Sequence, residues 1–256
     1  MYSSTDRPGQ WLGLDGARVL IAGAGGIGLA CATAFADVGA RIAIFDANPE
    51  KLRAASSSLT SECYLREVDL AVPEQVKTAV DAVEDEFGGL DVVLHAVGIN
   101  IRKPSLQLEP DEWLKVLKVN LDSAFWLAQA AGRHMVPRQS GRIILVSSVS
   151  SQLAHPDHAP YAATKAGINQ MMRVMAREWA NDGVTLNAIA PGYIETELTI
   201  GYLEKEENRQ RLTSLVPMGR LGVPQELTGP VLFLASPHSS FITGQVLFID
   251  GGRTLV

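Results

Sequence analysis

Arg18-Val-Leu-Ile-Ala-Gly-Ala-Gly-Gly-Ile-Gly28 is the stretch that decides the fold. Its first five residues form a run of strand length, and the glycines behind it punctuate the chain before a helical pattern continues to Val38. Gly23, Gly25, Gly26 and Gly28, with Ile27 among them, fall where a strand hands over to a helix. Glycine there permits a tight turn and lets the backbone approach a pyrophosphate at the positive helix N-terminus. Asp46 stands 18 residues past Gly28, at the end of the next expected strand. A carboxylate in that place accepts hydrogen bonds from a ribose 2′-hydroxyl and repels a 2′-phosphate, and neither Ala47 nor Asn48 offers a cation instead. The stretch predicts a dinucleotide-binding unit that takes NAD in preference to NADP.

The alternation continues outward. Strands are expected at Arg18–Ala22, Arg41–Phe45, Cys63–Val68, Asp91–His95, Arg142–Ser147, Thr185–Ile189 and Val246–Ile249. Helices are expected at Gly28–Val38, Pro49–Thr60, Pro73–Phe87, Glu112–Met135 and Ala162–Ala180. Apolar strands alternating with longer amphipathic segments predict an α/β fold, a parallel sheet covered by helices. The expected layout is a flexible tail over residues 1–11 and one domain over 12–256. The polar stretch Thr196–Arg211 predicts either a solvated helix or, over about 193–215, a substrate lid.

Bulk properties narrow the partners. With 256 residues, 46% of them hydrophobic and 20% charged, the chain suits one large globular domain. A net charge of −6 argues against nucleic acid as a partner. Val19 to Ala36 carries no charge, but its four glycines favour a buried nucleotide unit over a membrane span. The first ten residues lack the apolar core of a signal peptide. Two cysteines, Cys31 and Cys63, make no disulfide framework and fit a reducing cytoplasm. No metal is expected.

Tyr161 and Lys165 carry the chemistry. Four apart on a helix, they share a face, and Ser148 lies 13 positions before the tyrosine. A free phenol has a pKa of about 10, and a fixed ammonium beside it favours the phenolate and lowers that value. Such a pair exchanges protons in alcohol–ketone chemistry.

Gly23–Gly28, Asp46, Asp69, Asn120, Ser148, Tyr161, Lys165 and Pro191-Gly192, in this order, resemble the short-chain dehydrogenase/reductase family over roughly residues 12 to 252. The resemblance implies a single-domain Rossmann fold, a doubly wound seven-stranded parallel sheet with helices on both faces, a homotetramer, and hydride transfer at a nicotinamide. It further implies that Tyr161 is the general acid/base, that Lys165 lowers its pKa and holds the nicotinamide ribose, and that Ser148 bonds the substrate oxygen. Asn120 matches the residue that anchors a proton relay, with a buried structural amide as its other reading. Asp69 and Leu70 match positions at the adenine, Ala96 and Gly98 the floor of the cofactor site, and Ile194 and Thr196 the grip on the carboxamide. Two departures stand out. The glycine loop is one residue short between its first two glycines, and His95 occupies a place where many members carry asparagine. His95 reads as a hydrogen-bonded structural histidine.

Ligands of open α/β sheets bind beyond the carboxyl ends of the strands. That directs attention to Asn100, Arg102, Lys103, Ser150, Gln152, His155, His158 and Tyr193. A guanidinium such as that of Arg102 can grip a carboxylate bidentately. The segments around Gly98–Pro104 and Pro191–Leu198 look like the gluconate 5-dehydrogenase branch of the family. The expected function is an NAD-dependent oxidoreductase acting on a secondary alcohol of a small sugar acid or polyol. Its alternatives are a reductase of 3-oxoacyl thioesters and a nucleotide-binding regulatory protein whose catalysis has lapsed.

Overall fold

The structure, a computed structural model, describes residues 10–59 and 62–256. Seven parallel strands form one sheet: β1 (Arg18–Ala22), β2 (Arg41–Asp46), β3 (Cys63–Glu67), β4 (Val92–His95), β5 (Gly141–Val146), β6 (Val184–Pro191) and β7 (Val246–Ile249). Their order is β3-β2-β1-β4-β5-β6-β7, the doubly wound arrangement expected. The connection reverses direction between β1 and β4, so their carboxyl ends diverge into a crevice.

The strands read as unbroken apolar runs because both sheet faces are covered. Side chains alternate strictly between the two cores. Leu20, Ala43, Phe45, Val93, Ile143 and Leu186 pack on one side, against α3 (Pro73–Phe87), α5 (Ser123–Arg138) and α6 (Ala159–Trp179). Val19, Ile21, Ile42, Ile44, Val92 and Ile144 pack on the other, against α1 (Gly26–Asp37), α2 (Pro49–Ser58) and α9 (Thr228–Ala235). Each fully buried side chain of this kind contributes about 1.5–3 kcal/mol relative to exposure.

Three expectations change. The helix expected over Glu112–Met135 is α4 (Pro110–Leu117) and α5, separated by a π turn at Lys118–Asp122. There the Ser123 N–H reaches back to the Lys118 carbonyl, and the extra residue turns Asn120 fully inward. α9 is not among the expected helices, and Gly229 and Pro230 lie inside it. Gln10–Leu12, partly within the span read as tail, is a 3-10 turn whose Trp11 carbonyl accepts from His238. The remainder of that tail lies outside the described residues.

The segment after β6 forms α7 (Glu197–Leu203) and α8 (Glu206–Ser214). Leu203, Leu212 and Leu221 close a small apolar cluster of their own, with Tyr193, Tyr202 and Leu215 around it. Among the described residues no helix is long and apolar enough to cross a membrane.

Candidate active site

The glycine turn wraps tightly at the carboxyl end of β1. Gly23 has φ +105°, a left-handed value that favours glycine. A Cβ on Gly28 would lie 1.8 Å from the Gly23 carbonyl oxygen, so Gly28 shapes the loop without lining the cleft above it. A Cβ on Gly26 would sit 3.3 Å from Thr196, which is how closely the segment entering α7 roofs the loop. The Asp46 carboxylate accepts from Ala24 N and Asn48 N, each at 2.8 Å, and this fixes it at the rim.

The cleft, about 250 Å³, is lined by Gly23, Gly25, Gly26, Ile27, Asp46, Lys51, Ala96, Gly98 and Thr196, among others. It opens into a narrower space bounded by Ser148, Tyr161, Lys165, Pro191, Gly192 and Ile194. Most of the expected cofactor residues therefore share one channel. Asp69 and Leu70 do not line it. The Asp69 carboxylate is turned onto Ala71 N at 2.9 Å, and Leu70 is buried in the core. Lys51 escaped the sequence reading. Its helix, capped by Asn48, carries it back over Gly25, where it pairs with Glu197 at 2.8 Å.

Tyr161 and Lys165 enter from the first turns of α6, and Ser148 from the end of β5. The Ser148 hydroxyl accepts from Ser150 N and lines the same narrow space as the phenol. Lys165 is 3% exposed, and its Nζ donates to the Val146 carbonyl at 2.7 Å. Burial depresses its pKa from 10.5 to about 8. The phenol of Tyr161 is held above its ordinary value, chiefly by burial, with Ser148 and the positive charge of Arg102 pulling the other way. The Lys165 ammonium lies 5.6 Å from the ring centroid and is tied to Val146.

Asn120 spends its side chain on structure. Its Oδ1 accepts from Ile99 N at 2.8 Å, and its Nδ2 donates to Ile99 O and Thr164 Oγ1. His95 is structural, as expected. Nε2 lies 2.8 Å from Ser123 Oγ, whose own proton goes to Val119 O, so Nε2 carries the hydrogen. Burial, reinforced by Lys165, holds its pKa at about 3, and the ring stays neutral.

Beyond Tyr161 a second cavity of about 360 Å³ contains Asn100, Arg102, Ser150, His155, His158 and Tyr193. His155 is held from both ends, by Ser150 Oγ at 2.9 Å and the Tyr193 hydroxyl at 3.1 Å. Asn100 Oδ1 is buried without a hydrogen-bond partner among the described residues. Gln152 is exposed outside this cavity, and Lys103 is paired with Glu112 at 2.9 Å, so neither belongs to the site. Tyr202, Arg211 and Arg253 do belong, and sequence reasoning passed over them.

A family model described as "Enoyl-(Acyl carrier protein) reductase" matches residues 21–254. The chain belongs to the short-chain dehydrogenase/reductase family. Gluconate 5-dehydrogenase of Gluconobacter oxydans (strain 621H) is 37% identical over 246 residues, 94% of this chain and 96% of the relative. A 3-oxoacyl-[acyl-carrier-protein] reductase of Vibrio cholerae is 36% identical, over 96% of this chain and all of its own length (100%). The crystal structure of a gluconate 5-dehydrogenase from Burkholderia cenocepacia J2315, in complex with NADP and tartrate, superposes with a TM-score of 0.88 at 41% identity, over 94% of this chain and 96% of that one. As a short-chain dehydrogenase/reductase the protein is an oxidoreductase that works with a nicotinamide cofactor, and the glycine cradle, Asp46 and Thr196 suit such a group.

Proposed function

We propose that the protein is an NAD-dependent dehydrogenase/reductase of a small hydroxylated substrate, a sugar acid or polyol. The observation that carries this reading is the position of Tyr161, which borders both the narrow end of the glycine cleft and the Arg102-containing cavity. A nicotinamide dinucleotide along the cleft supplies the hydride acceptor or donor. The backbone of Gly25, Gly26 and Ile27 holds the pyrophosphate, Asp46 the adenosine ribose, Ile194 and Thr196 the carboxamide, and Lys165 the second ribose. Tyr161 takes the proton of the alcohol, or returns it to the ketone, while Ser148 bonds the same oxygen. Asn120 has its amide committed to Ile99 and Thr164, so any part in passing the proton on falls to its backbone. The unpartnered acceptor of Asn100 supports a substrate rich in hydroxyl donors.

Supporting a homotetramer are two separate exposed apolar areas, Trp113 and Leu114 on α4 and Phe241 and Leu247 beside the edge strand β7, since a closed tetramer needs two distinct self-complementary contacts. Two free cysteines, with the Cys31 thiol pushed up to about 12 by burial, support a reducing cytoplasm. The two helices after β6, packed on their own small cluster, serve as the lid of a single domain.

Lys51 favours a second cofactor reading. If it leaves Glu197, it offers a cation at the rim to a 2′-phosphate, and a relative's structure holds NADP. Asp46→Ser separates the readings. The wild type is expected to prefer NAD by kcat/KM, and the variant to lose about tenfold or more of that preference. An unchanged ratio means that the 2′-hydroxyl is read elsewhere. Initial rates with both cofactors over gluconate, neutral polyols and an acetoacetyl thioester test the function itself, and activity confined to the thioester overturns it.

A further inference from the structure

We propose that the substrate carries two negative charges, and that its anionic group remote from the reacting carbinol is gripped by Arg102 and Arg211, which meet at Tyr202, with Arg253 alongside. This rests on the oxidoreductase reading above and names the substrate class within it.

The first observation is a local inversion of charge. The chain has a net charge of −6, yet the cavity beside Tyr161 is lined by three arginines and one carboxylate, that of Asp157. A cleft whose walls carry one sign concentrates ligands of the other. Arg102 stacks over the Tyr202 ring at 4.1 Å. Arg211 lies 5.9 Å from the same centroid and donates to the Tyr202 hydroxyl. Arg253 donates to the Tyr193 hydroxyl at 3.3 Å and to the Val256 carbonyl at 2.8 Å.

The second observation is what these guanidiniums lack. Arg209, on the same turn of α8 as Arg211, pairs with Glu195, and Arg220 pairs with Glu226. Among the described residues no side-chain carboxylate pairs with Arg102 or Arg211, whereas Arg253 is already engaged by Tyr193 and Val256. A guanidinium stacked on a ring is oriented by the ring while its N–H edge stays open, the fork that fits a carboxylate or phosphate. Arg102, on the ring, and Arg211, at its hydroxyl, meet at Tyr202, one from the loop after β4 and one from the lid, so one anionic group can bridge them and draw the lid down.

The third observation is direction. Arg102 exerts its field on Tyr161, His158 and His155, whereas the fields of Arg211 and Arg253 are felt at His155. His155 is depressed to about 4, first by burial, then by His158 and these arginines, and adds no charge of its own at neutral pH. The positive region therefore extends from Tyr161 to His155 along the cavity wall. A neutral polyol leaves it unmatched. A sugar monoacid satisfies one part, and a second acid group satisfies the rest.

The test is a matched series of glucitol, gluconate, glucarate and glucitol 6-phosphate, assayed at fixed ionic strength. The kcat/KM of one dianion should exceed that of gluconate by tenfold or more. Arg211→Gln should lower the dianion-to-glucitol ratio at least tenfold, mainly through KM, and Arg211→Lys should restore part of it. Preference for glucarate assigns two carboxylates, and preference for glucitol 6-phosphate assigns a phosphate. Equal efficiency for gluconate and both dianions, or a ratio unmoved by Arg211→Gln, overturns the proposal and leaves the oxidoreductase reading in place. If none of the series turns over, calorimetric binding of glucarate and glucitol to the NADH-loaded protein decides. Arg211-dependent binding of glucarate alone keeps the anion site while the sugar-oxidoreductase reading fails, and no such binding removes both.

Discussion

Tyr161→Phe is expected to lower kcat by about 10²–10⁴-fold, the usual contribution of a positioned acid/base, while NADH affinity stays within about twofold. The substitution removes one oxygen and keeps the ring that faces His158, so the channel holds its shape. The hydroxyl it deletes belongs to the residue that, with Ser148, lines both cavities at their junction. Fluorescence titration with NADH and initial rates in both directions check the two halves separately. Retention of more than a few per cent of the rate would sink the assignment. The wild-type pH profile carries the same information. Burial raises the phenol pKa, so at neutral pH the group is protonated and ready to donate to a ketone. Alcohol oxidation needs the phenolate and should accelerate as pH rises, whereas ketone reduction should decline as the phenol is lost. The Phe variant should show neither limb.

What could be read ahead of the structure divides by range. The sheet was legible because its inner strands are buried on both faces, which leaves a run of Val, Ile, Leu and Ala between punctuating residues. Tyr161 and Lys165 were legible because helix geometry alone places them together. The π turn was not, since one additional residue in a turn leaves no trace in a periodic pattern, and α9 was masked by its own glycine and proline. Asp69 has one carboxylate oxygen on the adjacent backbone, a local contact that the sequence also allowed as a helix-start reading. Lys51 reaches Glu197 over the glycine loop, and Tyr202, Arg211 and Arg253 reach one cavity, only through tertiary packing. A single chain does not encode that meeting in any local spacing. Arg211 did lie in the stretch read as a lid, where its neighbours Glu204 to Glu207 made the whole segment look like a solvated face.

Lys165→Met is expected to cost activity without costing stability. The ammonium is buried with its pKa depressed from 10.5 to about 8, so below about pH 8 the folded protein pays for an enclosed charge that the unfolded chain leaves in water. That penalty is on the order of 3 kcal/mol at neutral pH. Against it stands the bond to Val146 O at 2.7 Å, and leaving that carbonyl unpaired costs about 1–3 kcal/mol. Methionine fills similar volume and removes the charge, so the two effects nearly cancel and Tm at pH 7 should match or slightly exceed that of the wild type. Turnover should nonetheless fall by about 10²-fold or more, because no group then steadies the phenolate or holds the ribose. The sign of the linkage gives an independent check. Between about pH 8 and 10.5 the unfolded chain binds the proton that the folded protein has released, so wild-type stability from this group rises with pH across that window. The variant lacks the group, and the difference in unfolding free energy, wild type minus variant, should climb over the same interval. A variant that melts several degrees lower at pH 7, with a flat difference from pH 8 upward, would identify Lys165 as a structural donor to Val146. In that case the catalytic loss would report a collapsed cleft, and Tyr161 would have to work without its cation.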